Sequence, residues 1–143
     1  MKLRTRDFGE VEVNEADIVT FVEPIFGFEA YRKFVFLYQK DVSEHFVWLQ
    51  SAEEPELCFI LTDPALVTDR YQPDIPQETQ ALLGSEDYMC WLVAVIRENF
   101  ADSTVNLKSP IVVNPARRLA SQIILEENLP ISHPLVRRKG DER

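Results

Sequence analysis

Glycine is scarce in this chain, with four in 143 residues, and cysteine, histidine and methionine number two each. Two cysteines and two histidines offer little material for a metal centre, and neither CxxC nor HExxH spacing occurs. A Walker loop and a GxGxxG turn are also missing, which removes the usual backbone cradles for phosphate groups. No apolar run approaches the roughly 20 residues needed to cross a bilayer as a helix. The opening MKLRTRDFGEVEV turns charged at once, without the apolar core of a secretory signal. A protein with neither leader nor membrane span is expected, resident in the cytoplasm.

The two thiols sit in apolar runs, LCFIL around Cys58 and MCWLV around Cys90. Reduced core thiols are the expected reading; a disulfide or a shared metal is the alternative. Nucleophilic catalysis would pair one of them with His45 or His133, but burial in a strand-like run raises a thiol pKa and suppresses the thiolate. The two histidines and nearby carboxylates lack any i, i+4 or hairpin spacing suited to a metal. The doubled acids at 53–54, 86–87 and 126–127 fall in polar, turn-like contexts. They read as solvated faces rather than as a glycosidase pair. No catalytic residue, cofactor site or metal site is expected.

Positive charge is in short supply: 15 Lys and Arg stand against 24 Asp and Glu, a net of −9. The last seven residues, RRKGDER, hold four of those basic and two of those acidic groups, so the preceding 136 carry −11. Such a body repels phosphate backbones, whose binding depends on Lys and Arg, and direct nucleic-acid binding is not expected. A basic protein partner is favoured through complementary fields, although net acidity equally serves solubility.

What the chain does have is a succession of short β-forming runs. EVEV alternates at Val11 and Val13, and Ile18, Val19, Phe21 and Val22 follow. KFVFLY (33–38), HFVWLQS (45–51), LCFILTD (57–63), YMCWLVAVIRE (88–98), VNLKSPIVVN (105–114) and QIILEE (122–127) complete the series. These runs are rich in Val, Ile and aromatics and are parted by polar or Pro-containing turns, with no long helical repeat between them. The expected fold is mostly β, a single-domain antiparallel sheet, sandwich or barrel with one or two short helices. Pro110 cannot donate to a ladder, so it marks an edge, a bulge or a strand that changes sheets. Gly27, between two phenylalanines, suits a turn with positive φ.

The convincing helix lies in DIPQETQALLGSED, with Asp74 as cap, Gln77 three residues on, and Gly84 as the left-handed stop. A second helical turn is expected at FEAYRKF, residues 28–34. The chain is expected to divide into a β domain over 1–135 and a basic, flexible tail over 136–143.

Taken in order, DFGEVEVNEADIVTF, FGFEAYRKFVFL, FVWLQSAEEPELCFILTDP, NLKSPIVVNPARRLASQIIL and ISHPL resemble the bacterial flagellar assembly factor FliW family, from about Asp7 to Leu135. The resemblance implies a non-enzymatic, barrel-like protein, monomeric when free. It implies binding to flagellin, through flagellin's C-terminal helical region, and to the translational regulator CsrA. Capture of CsrA then relieves repression of flagellin translation. Leu107, Ile111, Val112 and Val113 read as core. The candidate partner-binding residues are Phe26, Phe28, Tyr31 and Tyr71, aromatics near turns, with the acids Asp63, Asp69 and Asp74. The plainer reading is that these aromatics pack in the core. The competing function is a small ligand-binding or hydrolytic β-barrel protein using carboxylates such as Asp63 and Glu98.

Overall fold

The alternation of Val11 and Val13 with acids builds a ribbon laid over a larger sheet. In the computed structural model, which describes residues 1–39 and 45–136, β1 (Lys2–Arg4) pairs antiparallel with β2 (Glu10–Glu12). The remaining strands are β3 (Ile18–Glu23), β4 (Lys33–Leu37), β5 (Phe46–Ser51), β6 (Cys58–Thr62), β7 (Met89–Val95), β8 (Thr104–Val105), β9 (Ile111–Asn114), β10 (Leu119–Gln122) and β11 (His133–Pro134). The tail expected to be flexible lies, apart from Val136, outside the described residues.

The strands close into a ring in the order β7, β6, β5, β4, β3, β10, β9 and back to β7. Every junction in that ring is antiparallel except β3 with β10, which run parallel. The mostly β architecture read from the runs, and the antiparallel β-barrel-like form that the resemblance implies, are therefore the ones found, with one parallel seam. Closure satisfies the edges that an open sheet would leave bare.

Pro110 sits where two short strands share one neighbour. Along one flank of β7, Met89–Trp91 pair with β9 while Ala94 and Val95 pair with β8. Between β8 and β9 the chain leaves that ladder. Asn106 Oδ1 accepts from the N–H groups of Lys108 and Ser109, both at 3.0 Å. The carbonyl of Pro110 then accepts from Ile123 N–H at 3.1 Å, and that of Lys108 from Leu125 N–H at 2.9 Å. The proline thus falls in a bulge-like excursion, where its missing N–H costs nothing. The run QIILEE enters the sheet earlier than expected, as β10, and its later residues make these irregular bonds.

Inside the ring, Phe21 and Phe34 meet edge to face at 5.2 Å, surrounded by Val47, Leu49, Leu61 and Ile111. Leu107, Ile111, Val112 and Val113 are all buried. The β1–β2 ribbon covers the outer face of β4, where Leu3 and Val13 pack on Val35.

Two helical expectations are corrected in detail. The helix α2 spans Gln77–Leu83 and stops at Gly84, whose φ of 100° is positive as expected but whose ψ of −179° lies outside the left-handed helical region; its cap is Pro76 and no side chain caps it. Asp74 therefore does not cap; Pro76, extended at ψ 146°, holds the chain out of reach. The helical turn expected at 28–34 is absent. Gly27, at φ 89°, is the third residue of a tight turn closed by Phe28 N–H to Ile25 O, and a second turn follows, closed by Tyr31 N–H to Phe28 O. From Lys33 onward the chain is claimed by ladders with β3 and β5 on both flanks. A helix not anticipated, α1 (Pro64–Val67), follows β6, with Asp63 as its cap.

Candidate functional site

The chemistry-bearing residues are scattered by this fold. Cys58 is buried in β6, where desolvation pushes its thiol up to about 11; Cys90, in β7, is pushed up to about 12 by the same cause. His133 Nδ1 lies 2.9 Å from its neighbouring Pro134 carbonyl in β11. Among the described residues no group of three or more His, Cys, Asp or Glu side chains is arranged to hold a metal ion. What the barrel offers is surface, in three regions.

The first is the loop between β3 and β4. Phe26 is half exposed and its N–H donates to Gln122 Oε1 at 2.9 Å, which ties the loop to β10. Phe28 is more sheltered, its ring edge-on to Phe59 of β6 at 5.1 Å. Tyr31 is half-buried against the main core. The loop thus shows one free aromatic and two that lean on the barrel.

The second region follows β6. Asp63, Asp69, Tyr71 and Cys90 line one shallow recess, and Tyr71 and Asp74 line the next. Asp63 Oδ1 accepts from Ala65 N–H at 3.0 Å, so its carboxylate helps to start α1. Tyr71 donates from its hydroxyl to Leu107 O at 2.6 Å and its ring joins two apolar clusters; burial raises its pKa well above the ordinary value. Asp74 is exposed.

The residues singled out from sequence therefore form two groups. Phe28 stacks near the start of β6, on Phe59, while Asp63 follows its last residue. From Phe59 to Asp63 the chain advances four residue steps, about 13 Å.

The third region was missed. The ribbon, the 3-10 turn Glu15–Asp17 and the outer end of β4 bound a groove of about 900 Å³. Its walls include Val11, Val35 and Leu37, and its rim carries Glu12, Glu15 and Asp17, all exposed. The groove shares Asp17, Phe36 and Tyr38 with a smaller cleft of about 230 Å³ that reaches Trp91 and Val113. The signal for it was in the sequence: EVEVNEAD packs four acids into residues 10–17 beside alternating valines.

Comparison with known proteins converges on one description. The model of the family described as "FliW protein" matches residues 2–135. A "Flagellar assembly factor FliW" from Syntrophus aciditrophicus is 36% identical, over 97% of this chain and 90% of that protein. One from Moorella thermoacetica is 37% identical, over 88% of this chain and 82% of that protein. A crystal structure of the flagellar assembly factor FliW superposes with a TM-score of 0.89 at 34% identity, covering 97% of this chain and 99% of the other.

Proposed function

This chain belongs to the FliW family of flagellar assembly factors, and from that premise we propose that it works in the cytoplasm by binding flagellin and, alternatively, the translational regulator CsrA. Flagellin is held through its C-terminal helical region. Export of flagellin frees the protein to capture CsrA, and repression of flagellin translation is lifted. No bond is made or broken in this cycle, and the protein is not an enzyme.

The observation that carries the proposal is the likeness to flagellar assembly factors along nearly the whole chain. The physical character of the molecule supports it. Both thiols are held protonated by burial, and the chain carries a net −9, which suits a basic, RNA-binding partner. The hydrolytic reading draws no support from Asp63, whose carboxylate caps α1, or from Glu98, exposed beyond the end of β7.

The test is a competition between purified components. The protein is mixed with CsrA at equimolar concentration, and flagellin from the same organism is titrated in while the CsrA complex is followed by size-exclusion chromatography. Displacement of CsrA by flagellin is the expected result. A protein that binds neither, or that binds flagellin without ever retaining CsrA, overturns the partner switch.

A further inference from the structure

At one end of the barrel the inward-facing rows leave a small cleft. Side chains of a strand alternate between its two faces. Val19 of β3, Phe36 of β4, Trp91 of β7 and Val113 of β9 therefore continue the rows that hold Phe21, Phe34, Val93 and Ile111 in the core. These four line a cleft of about 230 Å³ together with Asp17, Tyr38, Met89 and Arg118, all exposed. Water occupies about 30 Å³ per molecule, so the cleft has room for roughly eight waters. That suits one long side chain and is too small for a docked helix.

Three of the lining residues are aromatic: Phe36, Tyr38 and Trp91. Ring faces attract a cation as well as a hydrocarbon, and the stems of Lys and Arg are themselves apolar. Charge then decides between a neutral and a cationic occupant. Asp17 precedes Ile18, which faces Val35, and this sets Asp17 beside Phe36. Arg118 is the only non-glycine residue with positive φ among the described residues, at 54°, and its Nη1 donates to Ala16 O at 2.8 Å. It thereby fastens the Glu15–Asp17 turn and fixes where Asp17 stands. Asp17 and the neighbouring Glu15 make no ion pair among the described residues. Two unpaired carboxylates thus face one guanidinium that already has a backbone partner. A second copy of this chain brings the same excess of acid and is a poor occupant.

We propose that this cleft receives a lysine or arginine side chain of a basic partner protein, lying across it with its charge at Asp17 and its stem over Trp91 and Val113. The site asks only for an accessible basic side chain, so it can fail while the partner switch above stands.

The probe is acetyl-Gly-Gly-Lys-Gly-Gly-amide, titrated into the full-length, 15N-labelled protein at constant ionic strength. The indole N–H of Trp91 and the amides of Asp17 and Met89 should shift along one saturating curve. The norleucine peptide, with a similar stem and no charge, and the glutamate peptide should each bind at least fivefold more weakly. Asp17→Asn, altered at an exposed position, should weaken lysine binding at least threefold and leave the norleucine response unchanged; an otherwise unchanged spectrum shows that the variant is folded. Tyr38→Ala, also at an exposed position, should weaken lysine binding in the same direction. Equal binding of the lysine and norleucine peptides assigns the cleft to neutral side chains, and tighter binding of the glutamate peptide assigns it to Arg118; either overturns the site. So do an Asp17→Asn variant that binds as tightly as wild type, shifts confined to other residues, no response at tens of millimolar peptide, or the same shifts on raising the protein's own concentration.

Discussion

Asn114, wholly buried at the end of β9, donates from its side-chain amide to Glu86 Oε1 at 3.0 Å. The same amide donates to the carbonyl of Leu83, the last residue of α2, at 2.8 Å, while its Oδ1 accepts from Ala116 N–H at 3.1 Å. Arg117 Nε reaches Glu86 Oε1 from the other side at 2.8 Å. One asparagine thus locks the end of the helix to the barrel and aims a surface ion pair.

Replacing Asn114 by Ala leaves the Leu83 carbonyl and the Ala116 amide without their partner. A buried polar group left unsatisfied costs about 1–3 kcal/mol. Asn114→Ala should therefore lower stability by about 2–4 kcal/mol, read as a reduced urea midpoint at unchanged slope. A change below about 0.5 kcal/mol would show that water replaces the amide at no loss.

Glu86 makes the same joint pH-sensitive. Its carboxyl is held down to about 2, first by the hydrogen bond from Arg117 and next by that from Asn114. A carboxylate lowered in the folded state stabilises above its unfolded pKa, near 4.5, and that contribution disappears as pH falls through the folded value. The denaturation midpoint of wild type should fall between pH 4.5 and 2 more steeply than that of Glu86→Gln. Parallel curves would remove Glu86 from acid sensitivity.

Gly84 ends α2 at φ 100° and ψ −179°, backbone that residues with a Cβ rarely adopt. A Cβ there would also lie 2.5 Å from Arg117 Nε, so the arginine would have to leave its place beside Glu86. Gly84→Ala should cost about 1–3 kcal/mol. In the same variant the Glu86 carboxyl, followed by NMR, should titrate closer to its ordinary range.

Both thiols should be silent in the folded protein. With Cys58 at about 11 and Cys90 at about 12, thiolate is rare at pH 8, and burial adds a steric barrier. A disulfide-exchange reagent should titrate two thiols at once in urea and react at least a hundredfold more slowly without it. Rapid reaction of Cys90 in native buffer would indicate an accessible recess beside Tyr71.

If the acidic body helps to keep mRNA away from a captured CsrA, salt should weaken that exclusion. Raising ionic strength toward 1 M shrinks the screening length to about 3 Å. RNA retention by the CsrA complex, measured by filter binding against CsrA alone at each salt concentration, should partly recover. Exclusion that persists undiminished at every salt concentration assigns it to shape instead.

Local chemistry was enough for much of this molecule. Valine-rich and aromatic runs announced the strands. Gly84 and Gly27 announced chain positions with positive φ, and the IVV run of β9 announced core. Each of these follows from a residue's own conformational preference or from a period of two. The cap of α2 was misjudged because Asp74 and Pro76 compete within three residues, and Pro76 held the chain extended. Closure of the ring by the parallel β3–β10 pair joins segments nearly a hundred residues apart, and no local preference encodes such a register. The same long-range packing set Phe28 and Asp63 toward opposite ends of β6. Composition chose strands and acidity; only the three-dimensional closure decided which distant strands share a ladder, because their register depends on packing between residues far apart in the chain.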